Sequence, residues 1–125
     1  MRYSENRKAK ILIVDDHAIV RHGIATLLNQ ETDLYACCEA EDIPQAISAN
    51  RGCPHDMAIV DLSLAGMSGL ELVKRLQVEF PDLPILVMSM HDEAVYAEPA
   101  LRAGAHGYLM KQAATETLLK AVRQI

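Results

Sequence analysis

Five short apolar runs, each followed by a stretch of helical periodicity, set the limits on what this chain of 125 residues can fold into. Residues 10–14 read Lys-Ile-Leu-Ile-Val, a near-continuous apolar run that fits a strand buried on both faces. Strand-like runs recur at 34–40, 56–62, 85–89 and 105–110. Helical spacing is expected over 17–29, 44–50, 69–79, from Asp92 or Glu93 to about 103, and over 115–124. In the first of these, Ile19, Val20, Gly23, Ile24, Leu27 and Leu28 form one apolar stripe. Leu70, Val73 and Leu76 do the same in the third, and Leu118, Leu119 and Val122 in the last. Asp16 and Thr115 are candidate N-caps, Pro44 suits a first helical turn, and Gly104 suits a C-cap. Strands alternating with helices through short connections imply a parallel sheet covered on both faces, with right-handed crossovers.

One domain accounts for the length, and a hydrophobic content of 50% is enough for a single core. A net charge of −5 argues against nucleic-acid binding by this segment, since phosphate contacts need a basic surface. No apolar run is long enough to cross a bilayer. Residues 1–9 are polar at the start and read as a flexible lead-in rather than a signal peptide. Cys37, Cys38 and Cys53 are odd in number and lack metal-ligand spacing, which fits a reducing compartment and a cytoplasmic location. The vicinal pair offers redox chemistry, but one small buried strand residue is the simpler expectation.

In a parallel sheet the carboxyl ends of all strands share one edge, where ligand crevices form. That edge would carry Asp15 and Asp16 after the first strand, Asp61 at the end of the third, Ser89 after the fourth and Lys111 after the fifth. Clustered carboxylates repel unless a divalent cation neutralises them, so the expected occupant is Mg²⁺. Asp16 and Asp61 would coordinate it directly, Asp15 through a water, and the backbone carbonyl of Ser63 could add an oxygen. Asp61 is also the best nucleophile, since a carboxylate can attack phosphorus to give an acyl phosphate. Lys111 and Ser89 would hold the remaining phosphoryl oxygens.

The motifs around these residues are Ile11-Leu12-Ile13-Val14-Asp15-Asp16-His17, Ile59-Val60-Asp61-Leu62, Gly66-Met67-Ser68-Gly69-Leu70-Glu71, Val87-Met88-Ser89 and Gly104-Ala105-His106-Gly107-Tyr108-Leu109-Met110-Lys111. Together, from residue 10 to 125, they resemble the receiver domain of two-component response regulators. The Asp16-His17 junction, Arg21 and the 104–111 stretch look most like the NarL/FixJ (LuxR-type) branch. The resemblance implies a flavodoxin-like (CheY-like) doubly wound sheet of five parallel strands in the order 2-1-3-4-5. It implies a phosphoacceptor signalling domain rather than an enzyme, taking a phosphoryl group from a sensor histidine kinase onto Asp61. Ser89 and Tyr108 would act as switch residues that reshape the face of the fourth helix, fifth strand and fifth helix. Homodimerisation on activation is allowed. A C-terminal helix-turn-helix domain that binds DNA is expected in the full-length protein and is absent from this segment.

Two other readings share part of this chemistry. A pseudo-receiver would signal through protein contacts without phosphorylation. A Mg²⁺-dependent phosphatase of the haloacid dehalogenase type also uses an aspartyl phosphate, but wants Asp-x-Asp after its first strand rather than adjacent Asp15-Asp16. The chain also departs from the receiver pattern. Ala65 replaces the usual Pro, Gln112 stands where a cis proline is common, Met90 replaces a small residue, and His91 lies on the same rim. Pro99 falls inside the fourth helix, which is therefore expected to be shortened or irregular.

Overall fold

A computed structural model describes residues 8–62, 69–89, 93–110 and 115–125. Its elements alternate as β1 (Ala9–Val14), α1 (Ala18–Asn29), β2 (Leu34–Ala40), α2 (Ile43–Gly52), β3 (Met57–Asp61), α3 (Gly69–Glu79), β4 (Ile85–Ser89), α4 (Glu93–Ala103), β5 (Gly107–Met110) and α5 (Thr115–Gln124). The strands form one sheet in the order β2-β1-β3-β4-β5, every neighbouring pair parallel. This is the doubly wound arrangement expected from the alternation.

Side chains alternate across the sheet and divide the core in two. Leu12, Val14, Ala58, Val60, Ile85 and Val87 pack with α2, α3 and Ala100 of α4. Ile11, Ile13, Met57, Ile59, Leu86 and Met88 pack with α1 and α5 through Ile24, Leu28, Leu118 and Val122. β3 and β4 are buried at every residue, and β1 is buried from Ile11 to Val14. That is why these strands read as unbroken apolar runs. Each such side chain contributes on the order of 1.5–3 kcal/mol from burial.

Several expectations need correction. Ile19 is 88% exposed and Val20 and Gly23 are exposed too. Ile19 precedes Ile24 by five residues, which at the helical pitch turns it about 140° from the buried stripe. The buried side of α1 is Ile24, Ala25 and Leu28. His17, not Asp16, occupies the N-cap position of α1, and it makes no side-chain cap bond. α2 runs further than expected, because Asp42 caps it by accepting a bond from the Gln45 N–H at 2.9 Å. Thr115 is the first helical residue of α5 rather than its cap. The three cysteines are half-buried free thiols, so none is the fully buried strand residue expected.

α4 is not shortened by Pro99, which lies inside the continuous helix. Proline removes one intrahelical hydrogen bond. The helix is held by tertiary packing instead: Ala100 is fully buried, and α4 lies against α3 and β5. At its end Gly104 adopts φ +122° and closes the turn into β5, with its N–H donating to the Leu101 carbonyl. Arg123 of α5 holds Asp33 and Glu31 of the α1–β2 turn at 2.7–3.0 Å. The Arg123 guanidinium beside Asp33 holds its carboxyl below the usual carboxylate range.

Gly104→Ala should lower stability by about 1–3 kcal/mol, measured as a urea midpoint. A Cβ there would lie 2.4 Å from Gln77 Cγ, and Gln77 is itself held by the Leu83 carbonyl. Arg123→Gln should lower the urea midpoint at neutral pH. Asp33 is depressed in the folded state, so its contribution is present above the unfolded value of 3.8 and is lost as pH falls through the folded value. The gap between wild type and variant should therefore close on acidification through that range. A gap independent of pH would contradict this.

Candidate functional site

The parallel register delivers three acids to one pocket. β1 ends at Val14, and the Asp15 backbone N–H continues the ladder by donating to the Ala40 carbonyl at 3.0 Å. β3 ends on Asp61, paired with Met88 of β4. Asp15 and Asp61 are each only 2% exposed, and Ser89, the last residue of β4, is fully buried. Asp16 stands at the mouth, 18% exposed. Donor atoms of Asp15, Asp16, Asp61 and His17 all lie within 4.8 Å of one another. The expected assembly of Asp15, Asp16 and Asp61 is therefore present. Ser89 is set at the same sheet edge by its register with Met110. Tyr108 lies two residues earlier on β5, opposite Val87, half-buried against the core. The expected Ser63 carbonyl and Lys111 lie outside the described residues, as do Ala65, Met90, His91 and Gln112.

Two further residues shape the pocket. The Asp15 carboxylate accepts the His17 backbone N–H at 2.8 Å, which fixes the Asp15-Asp16-His17 turn. His17 Nδ1 stands 3.0 Å from Asp16 and 3.3 Å from Asp15, on a ring that is 62% exposed. Arg21, one turn into α1, donates from Nη1 to the Asp15 carbonyl at 2.5 Å and from Nε to Glu39 at 2.9 Å. It thus clamps the acidic turn to β2. Neither role was readable from the sequence as chemistry. Both depend on a turn geometry, and only the position of Arg21 four residues past His17 hinted that it could reach back.

Three carboxylates at this spacing, two of them withdrawn from water, form a hard oxygen-donor set. Like charges at such distances repel by several kcal/mol at an effective dielectric of roughly 20. The donor set fits a small divalent cation, which would cancel that repulsion.

Residues 11–123 match the family model described as "Response regulator receiver domain". The chain belongs to the response regulator receiver family. Among curated relatives it is 39% identical over 117 residues to the "Oxygen regulatory protein NreC" of Staphylococcus haemolyticus (strain JCSC1435), covering 93% of this chain and 54% of that protein. It therefore spans about half the length of that relative. Among solved structures, a LuxR-family two-component response regulator from Aurantimonas sp. SI85-9A1 superposes with a TM-score of 0.89 at 32% identity, over 94% of this chain and 84% of that one. A response regulator protein from Burkholderia pseudomallei "with a phosphorylated aspartic acid, calcium ion and citrate" gives 0.82 at 30% identity, over 91% and 66%. This receiver domain is thus of the LuxR/NarL type, and the "Transcriptional regulatory protein DegU" of Brevibacillus brevis is 30% identical to it, over 94% of this chain and 50% of that protein. The matched family is a signalling domain, and the haloacid dehalogenase reading gains no support.

Asp16→Asn should raise stability in cation-free buffer by about 1–3 kcal/mol, because it removes one member of the repelling set. Thermal melts in chelator and in excess Mg²⁺ check this. The advantage over wild type should shrink when the cation is added.

Proposed function

We propose that this receiver domain accepts a phosphoryl group on Asp61 from the phosphohistidine of a sensor histidine kinase, with Mg²⁺ as cofactor. The observation that carries the reading is the place of Asp61. It ends the central strand β3, is 2% exposed, and shares its pocket with Asp15 and Asp16. The Burkholderia relative supports it, since that protein holds a phosphorylated aspartate together with a divalent cation.

The Asp61 carboxylate is the attacking form and needs no general base. A carboxylate oxygen forms the new bond to phosphorus, and the bond from phosphorus to the kinase imidazole nitrogen breaks, with the electron pair returning to the imidazole. Bound Mg²⁺ would supply charge neutralisation for the transferring group. Asp16 and Asp61 would hold it directly, Asp15 through a water, with the Ser63 carbonyl as a further ligand. Lys111 and the Ser89 hydroxyl bind phosphoryl oxygens.

The new charge then biases a two-state equilibrium. Ser89 moves toward the phosphoryl group, and Tyr108 on β5 turns inward behind it. The α4-β5-α5 face changes shape and partners, including a second copy of this chain. In a full-length protein of this type, a C-terminal helix-turn-helix domain would carry DNA binding, and the kinase and its target act in the cytoplasm. Among the described residues no helix is long and apolar enough to cross a membrane.

Incubation with acetyl phosphate and Mg²⁺, read by intact mass, should add one phosphoryl group to wild type and none to Asp61→Asn. Chelator should suppress the adduct. Failure of wild type with acetyl phosphate, phosphoramidate and a phosphorylated kinase domain would instead mark a pseudo-receiver that signals by contact alone.

A further inference from the structure

A second cluster of ligand-type side chains lies away from the acidic pocket, between edge strand β2 and the end of α2. The thiols of Cys37 and Cys38 and a ring nitrogen of His55 all fall within 4.8 Å of one another. Consecutive strand residues normally point to opposite faces. Here the register with β1 slips, pairing Lys10 with Tyr35 but Leu12 with Cys38. Leu34 and Ala36 accordingly pack with the α1/α5 core, whereas Cys38 and Ala40 pack with the α2/α3 core. The extra residue of this β-bulge lets Cys37 and Cys38 share a side. The Ala36 N–H, displaced from the ladder, donates to Asn29 Oδ1 at 2.8 Å.

His55 is 9% exposed and is prepared as a ligand. Asn50 Oδ1 accepts the His55 backbone N–H at 2.8 Å and contacts His55 Nδ1 at 2.8 Å. The backbone N–H can only donate, so the Asn50 atom is an acceptor and Nδ1 must carry the proton. Nε2 is left with its lone pair, buried and without a hydrogen-bond partner among the described residues. An imidazole with one nitrogen pinned to a second-shell acceptor and the other bare is the usual state of a metal-ligating histidine. Burial, followed by the Lys10 charge, keeps the ring neutral by lowering its pKa.

We propose that Cys37, Cys38 and His55 Nε2 form a Zn²⁺ site, separate from the phosphorylation pocket. Two thiolates and one imidazole suit a tetrahedral, thiophilic cation and do not suit Mg²⁺. Ligand atoms around Zn²⁺ stand about 3.5–3.8 Å apart, so the cluster needs to close by no more than roughly 1 Å, a side-chain adjustment. On binding, each thiol loses its proton to solvent and two S–Zn bonds and one N–Zn bond form. Two thiolates balance the dication. Without metal, burial and the neighbouring Cys38 push the Cys37 thiol up to about 12. A water molecule would complete the fourth position. His55 precedes β3, so the site sits at the amino end of the sheet, opposite the acids.

The test is titration of the reduced protein with Co²⁺ as a spectroscopic substitute, with Mg²⁺ in excess. Binding at the acidic pocket gives no thiolate-to-cobalt charge transfer, so that band reads the cysteines alone. One equivalent should produce the band together with tetrahedral ligand-field absorption, and Zn²⁺ should bleach both. Cys38→Ser should abolish the band, Asp61→Asn should leave it intact, and Asn50→Ala should weaken Zn²⁺ by about 10–100-fold in competition with a chromophoric chelator. Circular dichroism monitors the fold of each variant. No thiolate band in wild type overturns the proposal without reference to any variant. So does a band unchanged in Cys38→Ser.

Discussion

The parallel hydrogen-bonded register of β1, β3 and β4 is the constraint on which the rest depends. All three strands run in the same direction and leave at the same edge, so the chain cannot place Asp15, Asp61 and Ser89 anywhere but together. The price is electrostatic. Carboxylates that water would otherwise separate are brought close and two are buried. The apolar surface under them is what makes this tolerable. Val14 and Val60, directly before Asp15 and Asp61 in the chain, are fully buried and cannot be rearranged to let the acids part.

The pocket is held from the side as well as from below. Arg21 fastens the Asp15 carbonyl to β2 through Glu39, and the His17 N–H orients the Asp15 carboxylate. The turn between β1 and α1 thus presents Asp15 and Asp16 in a preset geometry, which suits the proposed cation site. The partly exposed edge formed by α4 and β5 contrasts with this. β5 has four residues, none fully buried, and α4 carries a proline in its interior. A rigid acidic end beside a less deeply packed α4–β5 face suits the proposed switch.

Most of the fold was legible because its signals are local. Unbroken apolar runs marked the buried strands, and Gly104 marked the helix stop. The candidate acids were legible because strand ends are predictable once the strands are known. What escaped depended on three-dimensional detail. The exposure of Ile19 follows from where α1 starts, and a shift in its first turn rotates every side chain. The continuity of α4 through Pro99 reflects packing that overrides a local penalty. The meeting of Cys37, Cys38 and His55 required a register slip that no spacing rule contains.

That slip has a bearing on solubility. β2 and β5 are the two rims of the sheet, and a flat rim invites another chain to add a strand. β5 is too short to be a good template. β2 is longer, but its bulge breaks the row of amides halfway along, and the charged Glu39, held by Arg21, lies just beyond it. The same irregularity that gathers two thiols on one side makes the rim a poor seed for edge-to-edge aggregation.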